Sequence, residues 1–170
     1  MKLPGTATQE ENIHIAMGKL NIQEGDIFLD IGCGSGAVSL AASHFTDRIY
    51  GIDIREEAVE SSKSLVPSGS FFKGEASQII PDLPSIDRCF IGGTRDFESF
   101  IPALMNRAAP GCIIVADLAR IGIASKVAKL MKDQGIFSEL LHIQIARGYD
   151  LAGDIALRPI NPIFMVVGRC

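Results

Sequence analysis

A layered α/β fold around a seven-stranded, mostly parallel sheet is predicted by three observations. Short apolar runs alternate with amphipathic stretches along most of the chain, the pattern of strands joined by crossover helices. Asp30-Ile31-Gly32-Cys33-Gly34-Ser35-Gly36 sets three glycines just after the first such run, where the next helix opens. Beyond Gln134 the alternation stops, and two strands follow with no helix between them. Without a crossover, one of that last pair runs antiparallel to its neighbours as a hairpin partner. The 170 residues fit a single domain spanning 1–170, long enough to bury most of the surface its unfolded form exposes.

The elements follow in order. Residues 1–7 read as an extended leader containing Pro4-Gly5. Thr8-Gln9-Glu10-Glu11 has the form of a capping box, with Thr8 as N-cap and Glu11 three positions on. Ile13, Ala16, Met17 and Leu20 continue as one apolar stripe, which ends in the polar, Gly25-containing stretch 21–26. Strands are expected at Ile27–Ile31, Arg48–Asp53, Ser70–Lys73, Arg88–Ile91, Cys112–Ala116, Leu140–Ala146 and Pro162–Val167. Helices are expected at Ala37–His44, Glu56–Leu65, Asp96–Arg107 and Ile121–Gln134, with a helical turn near Ala76–Ile80. Arg147–Pro159 is expected to be a loop. Pro67-Ser68-Gly69, Pro110-Gly111 and Gly135 punctuate the pattern.

Composition narrows the function classes. Hydrophobic residues make up 47% and charged residues 21%, an ordinary globular balance. The net charge is -4 and the pI about 5.3. Lys and Arg are scattered singly, which argues against a nucleic-acid partner. The four cysteines, Cys33, Cys89, Cys112 and Cys170, form no CxxC pair, and no His lies at metal-ligand spacing from them. No metal site is expected. Cys89 and Cys112 lie in apolar runs and read as core residues, and reduced thiols suit the cytoplasm. The start Met1-Lys2 leads into Pro-Gly rather than an apolar signal segment, and no run approaches the roughly 20 residues of a membrane span.

The glycine loop carries the chemistry. Gly32, Gly34 and Gly36 let the backbone turn sharply and approach a ligand without Cβ interference. The helix behind them presents free N–H groups and its positive dipole end to an anion. Asp53, seventeen positions past Gly36, ends the second strand and can accept both ribose hydroxyls. A dinucleotide reading is formally open, because Gly32, Gly34 and Ala37 satisfy G-x-G-x-x-G/A. The third glycine at Gly36 and the hairpin ending match instead the class I S-adenosylmethionine-dependent methyltransferases, which this segment resembles. In that class the bound anion is the carboxylate of the methionine moiety.

A narrower resemblance covers nearly the whole chain. Pro4-Gly5, Thr8-Gln9-Glu10-Glu11, Asp30–Gly36, Gly51-Ile52-Asp53, Gly74-Glu75-Ala76, Ile91-Gly92-Gly93-Thr94, Ala146-Arg147-Gly148 and Asn161-Pro162 resemble, in order, the decarboxylating precorrin methyltransferases. Those enzymes methylate C15 of a corrin precursor and remove the C12 acetate carboxyl during cobalamin synthesis. A domain standing alone resembles the cobalt-precorrin-6B (C15)-methyltransferase family of the anaerobic pathway, which typically forms homotetramers. The resemblance implies S-adenosylmethionine as cofactor, a tetrapyrrole substrate and a homo-oligomer. It places cofactor contacts on Thr8, Gly32, Cys33, Gly34, Ser35, Gly36, Asp53 and Ala76. Thr8 would lie over the cofactor, with Thr6 nearby as the alternative if the leader aligns with a shift. Thr8 can also be a helix cap and nothing more.

The meso carbon of a reduced tetrapyrrole is enamine-like, so its attack on a methyl sulfonium needs no strong base, and no catalytic residue is assigned. A polycarboxylate substrate calls for arginines near the reacting methyl. Arg95, Arg120, Arg147 and Arg158 stand beside motif positions, each equally readable as a solvated surface arginine. Asp117, placed just past the fifth strand, can contact substrate or protonate an intermediate, or merely cap the next segment. His14, His44 and His142 have no partner at catalytic spacing and read as structural. Two other readings remain: methylation of tRNA, protein or a small molecule, and a non-catalytic cofactor-binding scaffold.

Overall fold

The computed structural model describes residues 8–93 and 95–170. Pro4-Gly5, Thr6 and Thr94 lie outside the described residues. The order of elements is α1 (Glu10–Leu20), β1 (Phe28–Ile31), α2 (Ala37–Ala42), β2 (Ile49–Asp53), α3 (Glu56–Leu65), β3 (Ser70–Lys73), α4 (Ala76–Ile79), β4 (Ile86–Ile91), α5 (Phe97–Arg107), β5 (Ala108–Leu118), α6 (Ile121–Asp133), β6 (Phe137–Ile143), β7 (Ala146–Leu151), β8 (Asp154–Pro159) and β9 (Ile163–Arg169).

Seven strands form one sheet in the order β3-β2-β1-β4-β5-β9-β6. β1 to β5 pair in parallel. β9 runs antiparallel between β5 and β6. The expected sheet is therefore present, and the reversed strand is the final one. It slots inside the sheet and leaves β6 at the edge.

Position in the sheet explains the side-chain patterns. Cys112, Ile113, Ile114, Val115 and Ala116 of β5 are all buried, because a central strand is covered on both faces. On one face α1, α2 and α3 pack Ala16, Leu20, Val38 and Val59 against Phe28, Phe90, Val115 and Val167. On the other, Phe100, Leu104, Val127 and Met131 of α5 and α6 meet Leu29, Ile91, Ile114 and Val166. His142 stacks on Phe164, with ring centres 4.7 Å apart, a structural use of that histidine.

Three local expectations are corrected. Gln9, not Thr8, is the N-cap of α1, and it makes no side-chain cap bond. Glu11 cannot reach back to complete a capping box, because its carboxylate is held by Arg147, whose Nε and Nη2 donate to it at 2.9 and 2.7 Å. Glu10 and Glu11 instead complement the dipole of the first turn. The expected strand Leu140–Ala146 lies at Phe137–Ile143, so that Leu140 to Ile143 pair in register with Val166 to Ile163. Finally, 147–159 is not a loop. β7 and β8 form a separate hairpin closed by Ala152 and Gly153, both at positive φ, 55° and 85°. Two successive left-handed residues make the turn whose twist suits a two-residue hairpin connection.

Candidate active site

The chain leaves β1 toward β2 and β3 on one side and returns through β4 and β5 on the other, so a crevice opens at the carboxyl ends of β1 and β4. The ends are stitched together, since the amides of Gly92 and Gly93 both donate to Ile31 O, at 2.9 and 3.1 Å. A Cβ at Gly32 would stand 2.5 Å from Gly93 N, and one at Gly36 2.9 Å from Ser62 Cα of α3. These two glycines are demanded by packing. Gly34 differs: a Cβ there meets nothing closer than 3.7 Å. All three have positive φ, at 80°, 55° and 85°. A Cβ at Gly34 would make only ordinary contacts, with Gly32 O and the Arg55 guanidinium.

The loop is fixed from beneath. Gly32 and Cys33 amides donate to Ile52 O of β2 at 2.8 and 3.1 Å, and Gly36 N donates to Cys33 O at 2.8 Å. The Cys33 thiol points into the core and is pushed up to about 12 by burial, with Asp30 adding to it. Only its backbone can face a ligand. Ser35 O accepts from Ser61 Oγ at 3.2 Å, which ties the turn to α3.

Two carboxylates flank the loop in opposite states. Asp30 is 1% exposed. Ser39 Oγ donates to its Oδ2 at 2.7 Å, while Oδ1 has no partner. Burial, with the charge of Asp53 adding to it and the Ser39 bond opposing, raises Asp30 to about 7. Asp53 is held below its ordinary value, because hydrogen bonds outweigh its burial. Its Oδ1 accepts from Arg55 N and Nε, both at 3.0 Å. Its Oδ2 accepts from Arg55 Nη2 at 3.0 Å and from Gly34 N at 3.1 Å. Those four bonds use the lone pairs of the carboxylate. The sequence reading passed over Arg55, although a cation two residues past the strand-ending acid was the available signal. Gly74 N donates to Asp53 O at 3.0 Å, which brings the start of α4, and with it the buried Ala76, to the same edge.

Beside the loop lies a cavity of about 250 Å³, lined among others by Thr8, Asn12, Gly92, Asp117, Arg120 and Asn161. Thr8 thus stands at this cavity, which adjoins the loop through the Gly92-Gly93 segment. Asp117 is not past the fifth strand but within it, since β5 extends to Leu118, and burial raises its carboxyl to about 6. Asn12 is 3% exposed and its Oδ1 has no partner. A lone Asn in an apolar helix stripe was the sequence signal for it. Of the arginines, only Arg120 reaches the cavity. Arg147 is bound to Glu11, Arg158 lies over the Tyr149 ring at 4.8 Å, and Arg95 is 3.8 Å from Asp96.

The arrangement can hold an extended ligand along the loop and a second reactant in the adjoining cavity. Known proteins resemble this chain along nearly its whole length. The "probable cobalt-precorrin-6B C(15)-methyltransferase (decarboxylating)" of Methanosarcina acetivorans is 32% identical, over 99% of this chain and 96% of the relative. The protein of that name from Archaeoglobus fulgidus is 34% identical, over 98% and 99%. The crystal structure of precorrin 8W decarboxylase from Methanobacterium thermoautotrophicum superposes with a TM-score of 0.91 at 22% identity, over 98% of this chain and 92% of that one, so the fold is shared. The family model described as the precorrin methyltransferase domain matches residues 2–168. The chain belongs to the precorrin methyltransferase domain family.

Proposed function

We propose that the chain catalyses S-adenosylmethionine-dependent methylation of C15 of cobalt-precorrin-6B, with loss of the C12 acetate carboxyl as carbon dioxide, giving cobalt-precorrin-7. The observation that carries this reading is the match along almost the whole chain to relatives named for that reaction.

The residues proposed to hold the cofactor are Thr8, Gly32, Cys33, Gly34, Ser35, Gly36, Asp53 and Ala76. The unpartnered Asp30 Oδ1, which asks for a donor such as an ammonium group, supports that fit. When bound, the cofactor supplies a methyl group on a sulfonium, ready for in-line displacement. The chain has to orient the acceptor carbon and exclude water. Ribose hydroxyls would take the place of some of the Arg55 bonds on Asp53. Asp53→Asn keeps the shape but removes the charge, and is expected to weaken S-adenosylmethionine binding about 10- to 100-fold, the worth of a charge-assisted hydrogen bond. Titration calorimetry reads this directly, and unchanged affinity would remove Asp53 from the site.

The partner is a tetrapyrrole with acidic arms, and no nucleic acid or membrane is part of this reading. Among the described residues no helix is long and apolar enough to cross a membrane. A cytoplasmic setting is supported by four free cysteines. A homo-oligomer, taken to be a tetramer, is supported by the β7–β8 hairpin. Ile155 is 78%, Leu157 68% and Leu151 57% exposed, and a two-stranded hairpin is marginal in water unless something covers it.

Incubation with cobalt-precorrin-6B and S-adenosylmethionine, followed by mass spectrometry, tests the function. The expected product has gained one methyl group and lost carbon dioxide. An unchanged macrocycle would overturn the reading, and methyl gain alone would overturn its decarboxylating half.

A further inference from the structure

The cavity beside the glycine loop holds two polar groups whose bonding is incomplete. Asn12 is buried in the first turn of α1 with its Oδ1 unpartnered. An amide oxygen shut away from water costs about 1–3 kcal/mol unless something bonds to it. Asp117, on the same α1-facing side of β5 as Ile113 and Val115, is half-buried, and its carboxylate makes no hydrogen bond or ion pair with any described residue. At the rim, Arg120 is the N-cap of α6, a helix of thirteen residues. Its O accepts from Ile123 and Ala124 amides at 3.1 and 3.0 Å, and Arg120 lines the cavity, so the start of α6, with its dipole and a cationic residue, borders this space. A cavity of about 250 Å³ is smaller than the roughly 300–1,000 Å³ that takes a whole drug-sized ligand. It suits one arm of a larger molecule.

We propose that this cavity receives the carboxymethyl arm that loses carbon dioxide, and that Asp117 is the catalytic residue that returns a proton to the arm carbon. The proposal rests on the function given above. The arm's carboxylate meets Arg120 and the start of α6 and so enters from the cationic rim. Its methylene is then delivered to Asp117, whose neutral carboxyl is the kind of donor that Asn12 Oδ1 lacks in the same cavity.

The step balances. The ring carbon forms a bond to the methyl group, the sulfonium becomes a neutral thioether, and the hydrogen of that ring carbon leaves as a proton. The bond between the arm methylene and its carboxylate breaks, carbon dioxide departs, and the electron pair remains on the arm carbon through the conjugated ring. That carbon takes one proton and becomes a methyl group. Asp117 supplies this proton as a neutral carboxyl and recovers one from the pool that receives the ring proton. The burial that raises Asp117 to about 6 keeps a protonated fraction available near neutral pH.

The test follows methyl gain and carbon dioxide loss separately, by mass spectrometry on cobalt-precorrin-6B, in the wild-type protein, Asp117→Asn and Asp117→Glu. Asp117→Asn is nearly isosteric and is expected to melt no lower than the wild type does and to bind S-adenosylmethionine equally well. Decarboxylated product should form about 100-fold more slowly, the usual worth of a positioned proton donor, while macrocycle that retains its carboxyl accumulates. Asp117→Glu should recover part of the loss. Three results would sink the inference alone: an unchanged rate of carbon dioxide loss in Asp117→Asn, equal slowing of methyl gain and carbon dioxide loss, or a Glu variant no better than Asn. A wild-type protein that leaves the macrocycle unchanged would remove the functional reading, and this inference with it.

Discussion

Gly32→Ala is expected to lower the thermal midpoint by about 10 °C. Two costs add at this position. The backbone has φ +80°, which an L-residue enters at about 1–2 kcal/mol. The new Cβ would also stand 2.5 Å from Gly93 N and 2.7 Å from Gly93 Cα. Those are backbone atoms pinned by bonds to Ile31 O, so they cannot rotate away as a side chain would. Overpacking of this kind costs about 1–3 kcal/mol more. A total near 3 kcal/mol, at about 2–4 °C per kcal/mol for a chain of this length, gives the stated shift. Gly34→Ala is the control, because its Cβ meets nothing closer than 3.7 Å and only the φ penalty applies. It should melt only a few degrees low yet bind S-adenosylmethionine poorly. Scanning calorimetry on both variants checks the contrast, and equal melting points would show that the junction of β1 and β4 gives way more easily than its bonding implies.

Asp30→Asn should make the protein more stable than the wild type at pH 8.5, by a margin that shrinks to less than half at pH 5. The Asp30 carboxyl titrates near 7 in the folded protein, against an ordinary 3.8. Between those values the native state holds a proton that the unfolded chain has released. Native binding of more protons means that stability falls as pH rises through that window. The penalty is absent below about 4 and complete above about 7. At about 1.4 kcal/mol per pKa unit it is on the order of 4 kcal/mol. Asparagine mimics the protonated acid, and its carbonyl can still accept from Ser39 Oγ. Asp117, also raised by burial, slopes the same way, so the variant should flatten the curve without abolishing its slope. Urea denaturation at the two pH values decides it. A variant less stable than the wild type at pH 8.5 would mean that the Asp30 charge is compensated in the fold.

Beside the proposed cofactor, a carboxylate buried at this cost would have a use. A ligand that brings a cation to Asp30 Oδ1 recovers the penalty on binding. Asp53, only 4% exposed but ringed by Arg55 and Gly34, carries no such penalty. The two acids look alike in the sequence, each closing an apolar run. Their difference comes from neighbours, since Ser39 gives Asp30 one bond and Arg55 gives Asp53 a charge.

The sheet was legible because its signals are local. A strand covered on both faces must be apolar throughout, as 112–116 is, and three glycines after Asp30 leave few alternatives to a tight turn into a helix. Asp53 was found for the same reason. The hairpin escaped because Tyr149, Leu151, Ile155 and Leu157 alternate among charged neighbours and read as a polar loop. The Ala152-Gly153 pair between them was the turn signal. The helix cap at Thr8 failed because the fate of Glu11 was decided by Arg147, 136 residues away, which no local pattern encodes.

What the sequence alone determined is the layered α/β fold, the glycine loop and the acid that closes β2, all of them consequences of backbone sterics and burial within short windows. Tertiary structure decided the rest. It put β9 inside the sheet, bound Asp53 to Arg55, drew Arg147 away from the cavity, and brought Asn12 of the first helix to the same space as Asp117 of the fifth strand. Those outcomes depend on which charged or polar groups meet across the fold, and such meetings are set by packing over long separations rather than by the residues on either side.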